Sequence, residues 1–406
     1  MNAVIFYTFL CIRKLKIKRL IYMQWYLPKQ LCLILLVLGG CIAHAQEQNR
    51  VITTGVPFLM ITPDARAAGM GDQGVATPAD AFAQQWNPAK HVFLSQDGGV
   101  GISYTPYLSK LVNDIFLGNL NYYRKLNDRS VWATSLKYFS LGDIQFNELI
   151  GGSIVDQGTE RPNELTLDLS YALKLSETFS MAVAGRFIRS DLKINSNTDT
   201  RSANSLGVDL SGYFQSNPFK LSENTAVFRS GFNISNVGPR LKYDVGGVKN
   251  YIPTNLKLGM GLELFYSSNN RLGVYTEFNK LLVPGPVATY DENNNFTGYT
   301  QPDINFLKGI STSFSDAPDG FKEELKEITW ALGLEYVLQE SFALRTGYFN
   351  ESPEKGSRRY ITFGAGFGLP QMDIDISYLF STSRVRSPLE NTLRFSVNFK
   401  WGNPSP

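Results

Sequence analysis

The first stretch that could do chemistry is a glycine-rich run near residue 70. Gly69-Met-Gly-Asp-Gln-Gly74 has the G-x-G-x-x-G spacing that cradles a dinucleotide pyrophosphate when a buried strand enters the glycines and a helix leaves them. The preceding residues, Ile61-Thr-Pro-Asp-Ala-Arg-Ala-Ala68, break the apolar strand, and Pro78 interrupts the helix that should follow. The run therefore favours a glycine-rich turn over a dinucleotide site.

Thiols and imidazoles are scarce. The three cysteines, Cys11, Cys32 and Cys41, lie in the first 45 residues together with His44, so that His91 is the only histidine of the remaining chain. One histidine without cysteine cannot complete a structural zinc site, and no G-x-S-x-G nucleophile motif is present. The sequence predicts no enzyme, catalytic residue, metal site or cofactor, although a site built from carboxylates alone stays open. His91 and the singly spaced acidic residues are interpreted as polar turn and solvated positions.

Residues 1–45 are interpreted as a signal peptide. A short basic stretch, Met23–Lys29, precedes an apolar run from Leu31 to Ala43, and Ala43-His-Ala45 gives the small-x-small pattern of a cleavage site. The apolar run is shorter than the roughly 20 residues of a membrane-spanning helix. We expect export, with Met23 as the true start. The alternative is that Leu38-Gly-Gly-Cys41 is a lipoprotein box that leaves Cys41 acylated.

The charge of the exported chain argues against a nucleic-acid partner. The leader carries six basic residues and no acidic one, so the net charge changes from +3 to −3 when it is removed. Nucleic-acid binding needs a concentrated basic face, which a weakly acidic chain does not predict.

From residue 99 onward, apolar side chains recur at every second position over long runs. Examples are Leu165–Leu175, Leu256–Tyr266 and Leu393–Trp401. Runs of about 9–11 residues with aromatic ends are typical of transmembrane barrel strands, whereas strands of soluble sheets average about 5–6 residues. The aromatic residues expected at the membrane interfaces are Tyr122, Tyr123, Tyr171, Tyr266, Tyr336, Tyr378 and Trp401. Inward positions include Thr362, Gly364, Gly366 and Gly368, which leave room for a plug or ligand.

The pattern predicts an all-β fold, a transmembrane antiparallel β-barrel of fourteen strands in the outer membrane of a diderm bacterium. The predicted strands are 99–107, 115–126, 130–139, 164–175, 179–190, 205–215, 226–237, 255–266, 271–280, 328–338, 342–351, 359–369, 372–381 and 391–401. The long links 140–163, 238–254 and 281–327 alternate with short turns, as outer loops alternate with periplasmic turns in such barrels.

Residues 46–98 lack the alternation and are rich in Gly, Ala and Pro. We expect them to start on the periplasmic side and to plug the lumen of barrel 99–401, with 402–406 as a short tail. The plug charges Asp64, Arg66, Asp72 and Asp80 are expected to pair with inward-facing strand charges.

The plug sequence FLMITPDARAAGMGDQGVATPADAFAQQWNPAK, residues 58–90, resembles the hatch of the fatty-acid-transporter-like barrels. This resemblance implies a fourteen-stranded barrel with an internal hatch. The hatch residues that it singles out are Pro63, Asp64, Arg66, Gly69, Gly71, Gly74, Asn87 and Pro88. Residues 309–336, 344–368 and 387–401 are more specifically similar to the PorV (LptO) family of type IX secretion systems.

Membership of that family would imply a role in secretion. Such barrels sit among outer-membrane lipids, bind exported cargo through its C-terminal signal domain, associate with the translocon barrel, and pass cargo to an attachment complex with a PorU-like sortase. The alternative is an outer-membrane transporter of hydrophobic small molecules. A third reading, lipid A deacylation, has no nucleophile and base to support it. Gly402–Pro406 departs from barrels that end on the aromatic residue itself.

The longest outer link, 281–327, is the predicted partner-binding loop, with Phe314, Asp316, Pro318 and Phe321 as candidate contacts. Val283–Pro286 and Asp291–Asn295 read as solvated, disordered turns. Lys322–Glu327 is predicted to form a short helix with Asp319 or Gly320 near its cap. The alternative is that both phenylalanines only pack the loop onto the barrel rim.

Overall fold

The computed structural model describes residues 50–192, 202–243, 247–383, 387–390 and 392–402. The predicted signal peptide, Cys41 and tail residues 403–406 lie outside the described residues.

The described residues form strands in long antiparallel runs, with a few short helices. In chain order the strands are β1 (Gly98–Pro106), β2 (Ile115–Asn127), β3 (Ser130–Leu141), β4 (Ile144–Ile150), β5 (Ser153–Glu160), β6 (Asn163–Lys174), β7 (Phe179–Asp191), β8 (Ala203–Gln215), β9 (Phe219–Leu221), β10 (Asn224–Val237), β11 (Asn255–Phe265), β12 (Arg271–Leu281), β13 (Val287–Tyr290), β14 (Phe296–Thr300), β15 (Thr329–Leu338), β16 (Phe342–Asn350), β17 (Arg359–Leu369), β18 (Met372–Ser381) and β19 (Leu393–Trp401). The α-helices are Ala65–Ala68, Ala83–Trp86, Phe306–Thr312 and Phe321–Lys326, and the 3-10 helices are Pro57–Met60 and Pro88–Phe93.

Fourteen of the strands close into one antiparallel barrel, which confirms the predicted fold class. Each barrel strand pairs with the next barrel strand along the chain, so that β3 pairs with β6 and β12 with β15 across the two longest links. The barrel closes where β19 pairs with β1, from Gly98↔Trp401 to Tyr104↔Phe395. Closure pairs the edge of every strand, as a spanning sheet in lipid requires. Among the described helices, none combines the length and apolarity needed to cross a bilayer.

The period-two pattern separates the two faces of the wall. In β6, Leu167, Leu169 and Tyr171 are exposed on the outside, while Asp168 and Ser170 are buried in the lumen. One predicted interfacial aromatic is wrong, because Tyr123 is 1% exposed and points inward, where it stacks on the His91 ring. Its neighbour Tyr122 contacts Trp132 and Trp401 instead.

Two outer links contain strands that the sequence does not predict. Strands β4 and β5 form a separate two-stranded hairpin within 140–163, and β13 and β14 form another within 281–327. The second hairpin corrects the prediction that Asp291–Asn295 is disordered. Asp291 Oδ1 accepts hydrogen bonds from the Asn293 and Asn295 amides, so this stretch is the hairpin turn.

The N-terminal segment fills the lumen, but its path differs from the predicted one. We take the end with the long links as the outer face. Residues 50–56, which we call the strap, lie against the outer links: the Gly55 amide donates to the Tyr251 carbonyl at 2.8 Å. The chain then runs through the lumen to Asp97 at the periplasmic end, where the Asp97 amide donates a hydrogen bond to the Trp401 carbonyl. The prediction that the described segment starts on the periplasmic side is therefore wrong.

Glycines let the plug approach the wall backbone to backbone. A Cβ on Gly69 would lie 3.0 Å from Gly364 Cα. Gly71 has φ +82°, a left-handed conformation that favours glycine, and lies against the backbone of Tyr348. The plug is thus seated by shape as well as by polar contacts.

A charge placed on the outer surface of the barrel tests the membrane-facing assignment. Leu258 is 48% exposed on β11, whereas its neighbour Gly259 packs against Ala76 of the plug. We expect Leu258→Arg to lower the unfolding free energy in lipid vesicles by about 2–4 kcal/mol if it lies near the midplane. Val248→Arg, in an outer link, is the matched control and should change little. Equal effects of the two substitutions would contradict the assignment.

Candidate functional site

The candidate partner-binding loop is the outer link between β12 and β15. Its second half forms the helices Phe306–Thr312 and Phe321–Lys326. Asn305 caps the first helix by accepting from the Leu307 amide at 2.9 Å. Gly320, with φ +72°, stands at the cap of the second, which begins one residue before the predicted helix. The loop is therefore built from ordered pieces.

Buried ion pairs fasten the second helix to the barrel. Lys355, from the neighbouring outer link, donates to Glu323 at 2.7 Å and to Glu327 at 3.0 Å. Lys280, at the end of β12, donates to Glu324 at 2.8 Å and to Glu327 at 2.7 Å. All five side chains are buried. The three acids of this helix are thus structural anchors rather than solvated charges.

The candidate contact residues lie on the exposed side of this anchored loop. Phe314 is 52% exposed and Phe321 is 76% exposed, and Pro318 is also exposed. Asp316 points the other way and accepts from the Gly285 amide at 2.9 Å, which ties the two halves of the loop together. Asp316 therefore shapes the loop, and the two phenylalanines are available to a partner.

The sequence reading missed an aromatic group on the first half of the loop. In the β13–β14 hairpin, the Phe296 ring contacts those of Tyr290 and Tyr299, with ring centroids 6.1 Å and 5.1 Å apart. Tyr290 is 59% exposed and Phe296 is 47% exposed. Two aromatic-containing β runs on either side of an Asp-Asn turn are a hairpin signal, which could have revealed the group.

One carboxylate cluster could suggest a cation site. Oxygen atoms of Asp316, Glu324 and Glu327 lie within 4.8 Å of one another. The Lys280 ammonium already bonds two of these carboxylates. The donor set fits an ion-paired anchor, and we assign no metal to it.

The predicted hatch residues lie in the lumen, below the outer loop. Asp64 caps the helix Ala65–Ala68 by accepting from the Ala67 amide at 2.9 Å, and it also accepts from Trp86 Nε1 at 2.7 Å. The Pro63 carbonyl accepts from Thr105. Asn87 caps the 3-10 helix that begins at Pro88, and its Nδ2 donates to the Gly212 carbonyl at 3.0 Å. These residues hold the plug together and to the wall.

The glycine-rich run of the plug uses its backbone amides on the barrel. Gly74 and Val75 both donate to Glu277 Oε2, at 2.8 and 2.9 Å, and Gly71 donates to Thr362 Oγ1. A wall carboxylate therefore occupies the place where a phosphate would sit in a dinucleotide site. The run is a plug turn.

Two of the four plug charges, Arg66 and Asp72, pair with wall charges as expected, whereas Asp64 and Asp80 accept hydrogen bonds from residues of the plug itself. Arg66 donates to Glu335 through Nε and Nη2, each at 3.0 Å, and to Asp80 at 2.7 Å. Asp72 accepts from Arg394 at 2.8 Å and from the Tyr360 hydroxyl. The interpretation of the acidic residues as solvated is wrong for the inward-facing ones. Those that are buried include Glu164, Asp168, Asp209, Glu263, Glu277, Glu335 and Asp375.

Burial shifts the titration of plug residues that belong to no spanning strand. Burial, with the charge of Asp80 adding to it, raises the pKa of Asp64 to about 6. Burial lowers the pKa of Lys90 to about 8 and that of His91 to about 4. His91 is fully buried and its Nδ1 lies 3.1 Å from the Pro88 carbonyl, so the reading of a polar turn residue is wrong.

His91 predicts an acid-sensitive plug. Below pH 6.5 the unfolded histidine gains a proton that the buried one, with a pKa of about 4, does not, so this residue destabilises the fold as pH falls from 6.5 to 4. Asp64 acts in the opposite direction below about pH 6. We expect His91→Phe to remove a loss of about 2–3 kcal/mol between pH 7 and pH 4. The unfolding midpoints of wild type and His91→Phe at pH 7 and pH 4 check this. An equal loss of stability in the two proteins between these pH values would contradict it.

A cavity of about 380 Å³ lies under the strap, in the outer half of the lumen. Its apolar side includes Ile52, Met60 and Phe349. Its polar side includes Asn255 and Lys257, whose ammonium lies 4.4 Å from the centroid of the Trp86 ring. The cavity therefore has an apolar side and a polar side, and the charged residues that line it are Asp72, Lys257, Glu327, Glu351, Lys355 and Arg358.

Barrel and plug together define a plugged fourteen-stranded outer-membrane barrel. Solved structures to which the chain is similar include the following two. The P. putida toluene transporter TodX is 12% identical, with 85% of this chain and 100% of that chain covered and a TM-score of 0.50. A Pseudomonas aeruginosa FadL homologue is 11% identical, with 87% and 100% covered and a TM-score of 0.43. At these identities the likeness concerns the fold alone.

The family follows from the sequence match. Residues 44–288, more than half of the chain, match the family described as Type IX secretion system protein PorV. The chain belongs to the PorV family, and the predicted membership is confirmed. The matched region includes the hatch sequence, whereas residues 309–336, 344–368 and 387–401 lie beyond it. No curated protein matches the chain. The family is a secretion barrel rather than an enzyme family.

Proposed function

We propose that this outer-membrane component of type IX secretion binds exported cargo through the cargo's C-terminal signal domain. It passes the cargo from the translocon barrel to the attachment complex that contains a PorU-like sortase. Family membership supports the pathway. The partner-binding surface is inferred from one observation. Phe314 and Phe321 are exposed on a loop that buried ion pairs fix to the barrel rim.

A fixed aromatic surface suits protein binding. Aromatic anchors supply much of the energy at protein interfaces, and a prearranged loop loses less conformational entropy on binding. Lys280 and Lys355 hold the helix that begins at Phe321, so this side chain is presented without ordering the loop first. The same link also carries the exposed Tyr290 and Phe296.

Replacing both phenylalanines tests the surface. We expect Phe314→Ala/Phe321→Ala to weaken binding of translocon, sortase complex or cargo about tenfold or more, because truncated anchors typically cost above about 1 kcal/mol each. Val248→Ala, at an 81% exposed position of another outer link, is the matched control. Pull-downs from membranes with an intact heat-modifiable barrel measure the effect. Retention of every partner by the double variant would show that the loop is only a lid.

The cavity under the strap favours a second candidate, transport of a hydrophobic small molecule. Its apolar side could hold a hydrophobic molecule, and the Lys257 ammonium could pair with an anionic group of that molecule. A deletion strain with normal cargo release and defective uptake of hydrophobic compounds would favour this candidate over secretion.

A further inference from the structure

The strap lies in a groove between two outer links, like a bound peptide. Gly55 donates its amide to the Tyr251 carbonyl at 2.8 Å, and the Gln301 side chain donates to the Thr53 carbonyl. At one end, the Arg50 guanidinium pairs with Asp319 and, at 3.2 Å, with Glu323. The groove therefore offers one backbone acceptor, one side-chain donor and two carboxylates to the strap.

Side chains of the strap alternate as in an extended chain. Val51 and Thr53 are exposed and Ile52 and Thr54 are partly buried, and Val51, Ile52 and Thr54 all line the outer cavity. A basic residue thus enters the acidic end, and the apolar Ile52, two positions later, enters the cavity. This spacing follows from the period of two of an extended backbone.

The acidic end of the groove is built by the loop and not by the strap. Glu323 is 4% exposed and is held by Lys355 at 2.7 Å and by the Asp319 amide at 3.0 Å. Burial opposes ionisation, but the Lys355 hydrogen bond is chief among the contacts that hold the pKa of Glu323 below its ordinary value. Contacts of the loop and its neighbouring link thus hold this carboxylate charged, and Arg50 of the strap adds to them.

The strap has backbone strain at its base and an exposed ion pair at its far end. Val56, where it joins the plug, has φ +48°, a left-handed conformation that is strained for a β-branched residue. Asp319, one of the two partners of Arg50, is 71% exposed in its side chain, and exposed ion pairs contribute little to stability. Release of the strap would relieve the strain at Val56 and would leave the groove in place.

We propose that this groove is a peptide-binding site that the chain fills with its own residues 50–56. Its ligand is an extended segment of a partner protein in which a basic residue precedes an apolar residue by two positions. Such a segment displaces the strap and takes over its contacts. The inference does not depend on which partner binds the aromatic loop, since the strap itself defines the ligand.

A peptide copy of the strap tests the groove. The probe is a fluorescein-labelled peptide of residues 50–57, and fluorescence anisotropy with the purified full-length barrel in detergent measures its affinity. Arg50→Glu in the barrel should weaken the chain's own strap and tighten peptide binding at least tenfold over wild type. A peptide carrying Arg50→Glu or Ile52→Asp should bind the opened barrel at least tenfold more weakly.

A charge reversal in the groove gives the matched control. In the Arg50→Glu barrel, adding Asp319→Lys should favour the chain's own strap again and reduce binding of the basic peptide. Excess peptide should also speed deuterium exchange at the Gly55 amide of the wild-type barrel, since its hydrogen bond to Tyr251 is lost on displacement. Failure of the Arg50→Glu barrel to bind the peptide, or equal binding of basic and acidic peptides, would overturn the proposal.

Discussion

Glu335→Gln is expected to lower the unfolding free energy of the plugged barrel by about 3–5 kcal/mol, since it removes one partner from buried ion pairs. Glu335 is 2% exposed and accepts from Arg66 of the plug at 3.0 Å and from Arg345 of the wall at 2.8 Å. A glutamine of the same shape leaves the largely buried guanidinium groups of Arg66 and Arg345 without this counter-charge.

An exposed ion pair supplies the control for this change. Arg161 and Asp143 pair at 2.6 Å on an outer link, where water screens both charges. Asp143→Asn should therefore leave stability unchanged. The measurement is the denaturant midpoint of the purified barrel, followed together with protease protection of the plug. Equal midpoints for Glu335→Gln and Asp143→Asn would contradict the role of Glu335.

Gly347→Ala is expected to unseat the plug while the barrel stays closed. A Cβ at this position of β16 would lie 2.1 Å from the Met70 carbonyl carbon and 2.2 Å from the Gly71 amide nitrogen. Both are backbone atoms of the plug and cannot rotate away. Overpacking of this kind costs about 1–3 kcal/mol or more, and withdrawal of the plug is the simplest relief.

Protease digestion reports on the position of the plug. Trypsin should cut the Gly347→Ala variant after Arg66 or Lys90 at least tenfold faster than wild type, while heat modifiability shows that the barrel remains closed. Gly185→Ala is the matched control, because a Cβ at this glycine of β7 meets nothing within 4 Å. If trypsin cuts both variants as slowly as wild type, the tight seating of the plug at Gly347 is wrong.

The barrel could be predicted from sequence because the bilayer imposes a simple pattern. Every spanning strand needs a long alternating run and a paired edge. A run such as Leu165–Leu175 therefore predicts both that a strand is present and which side chains face the lipid. The outer hairpin β13–β14 carries no such constraint. Its side chains meet solvent on both faces, and only its turn chemistry at Asp291–Asn295 marked it.

Pairing across the lumen could not be read from sequence. Nothing local to Arg66 or Glu335 shows that residues 269 positions apart share an ion pair. The upward path of the strap likewise depends on Tyr251, Asp319 and Glu323, which belong to distant links. The sequence marks Phe314 and Phe321 as candidate contacts because they stand beside a predicted helix cap, whereas nothing local marks Lys280 and Lys355 as the residues that hold the helix.

The most direct test of the account is the fate of type IX cargo in a strain that lacks this chain. We predict that cargo accumulates in the periplasm with its C-terminal signal domain uncleaved. The wild-type gene should restore cargo release. The Phe314→Ala/Phe321→Ala variant should restore it poorly, even when as much of it is inserted in the outer membrane as of wild type. Immunoblots of periplasm and medium with antibodies to that domain measure this. Cargo that reaches the surface and loses its signal domain normally in the deletion strain would contradict the proposed role in secretion.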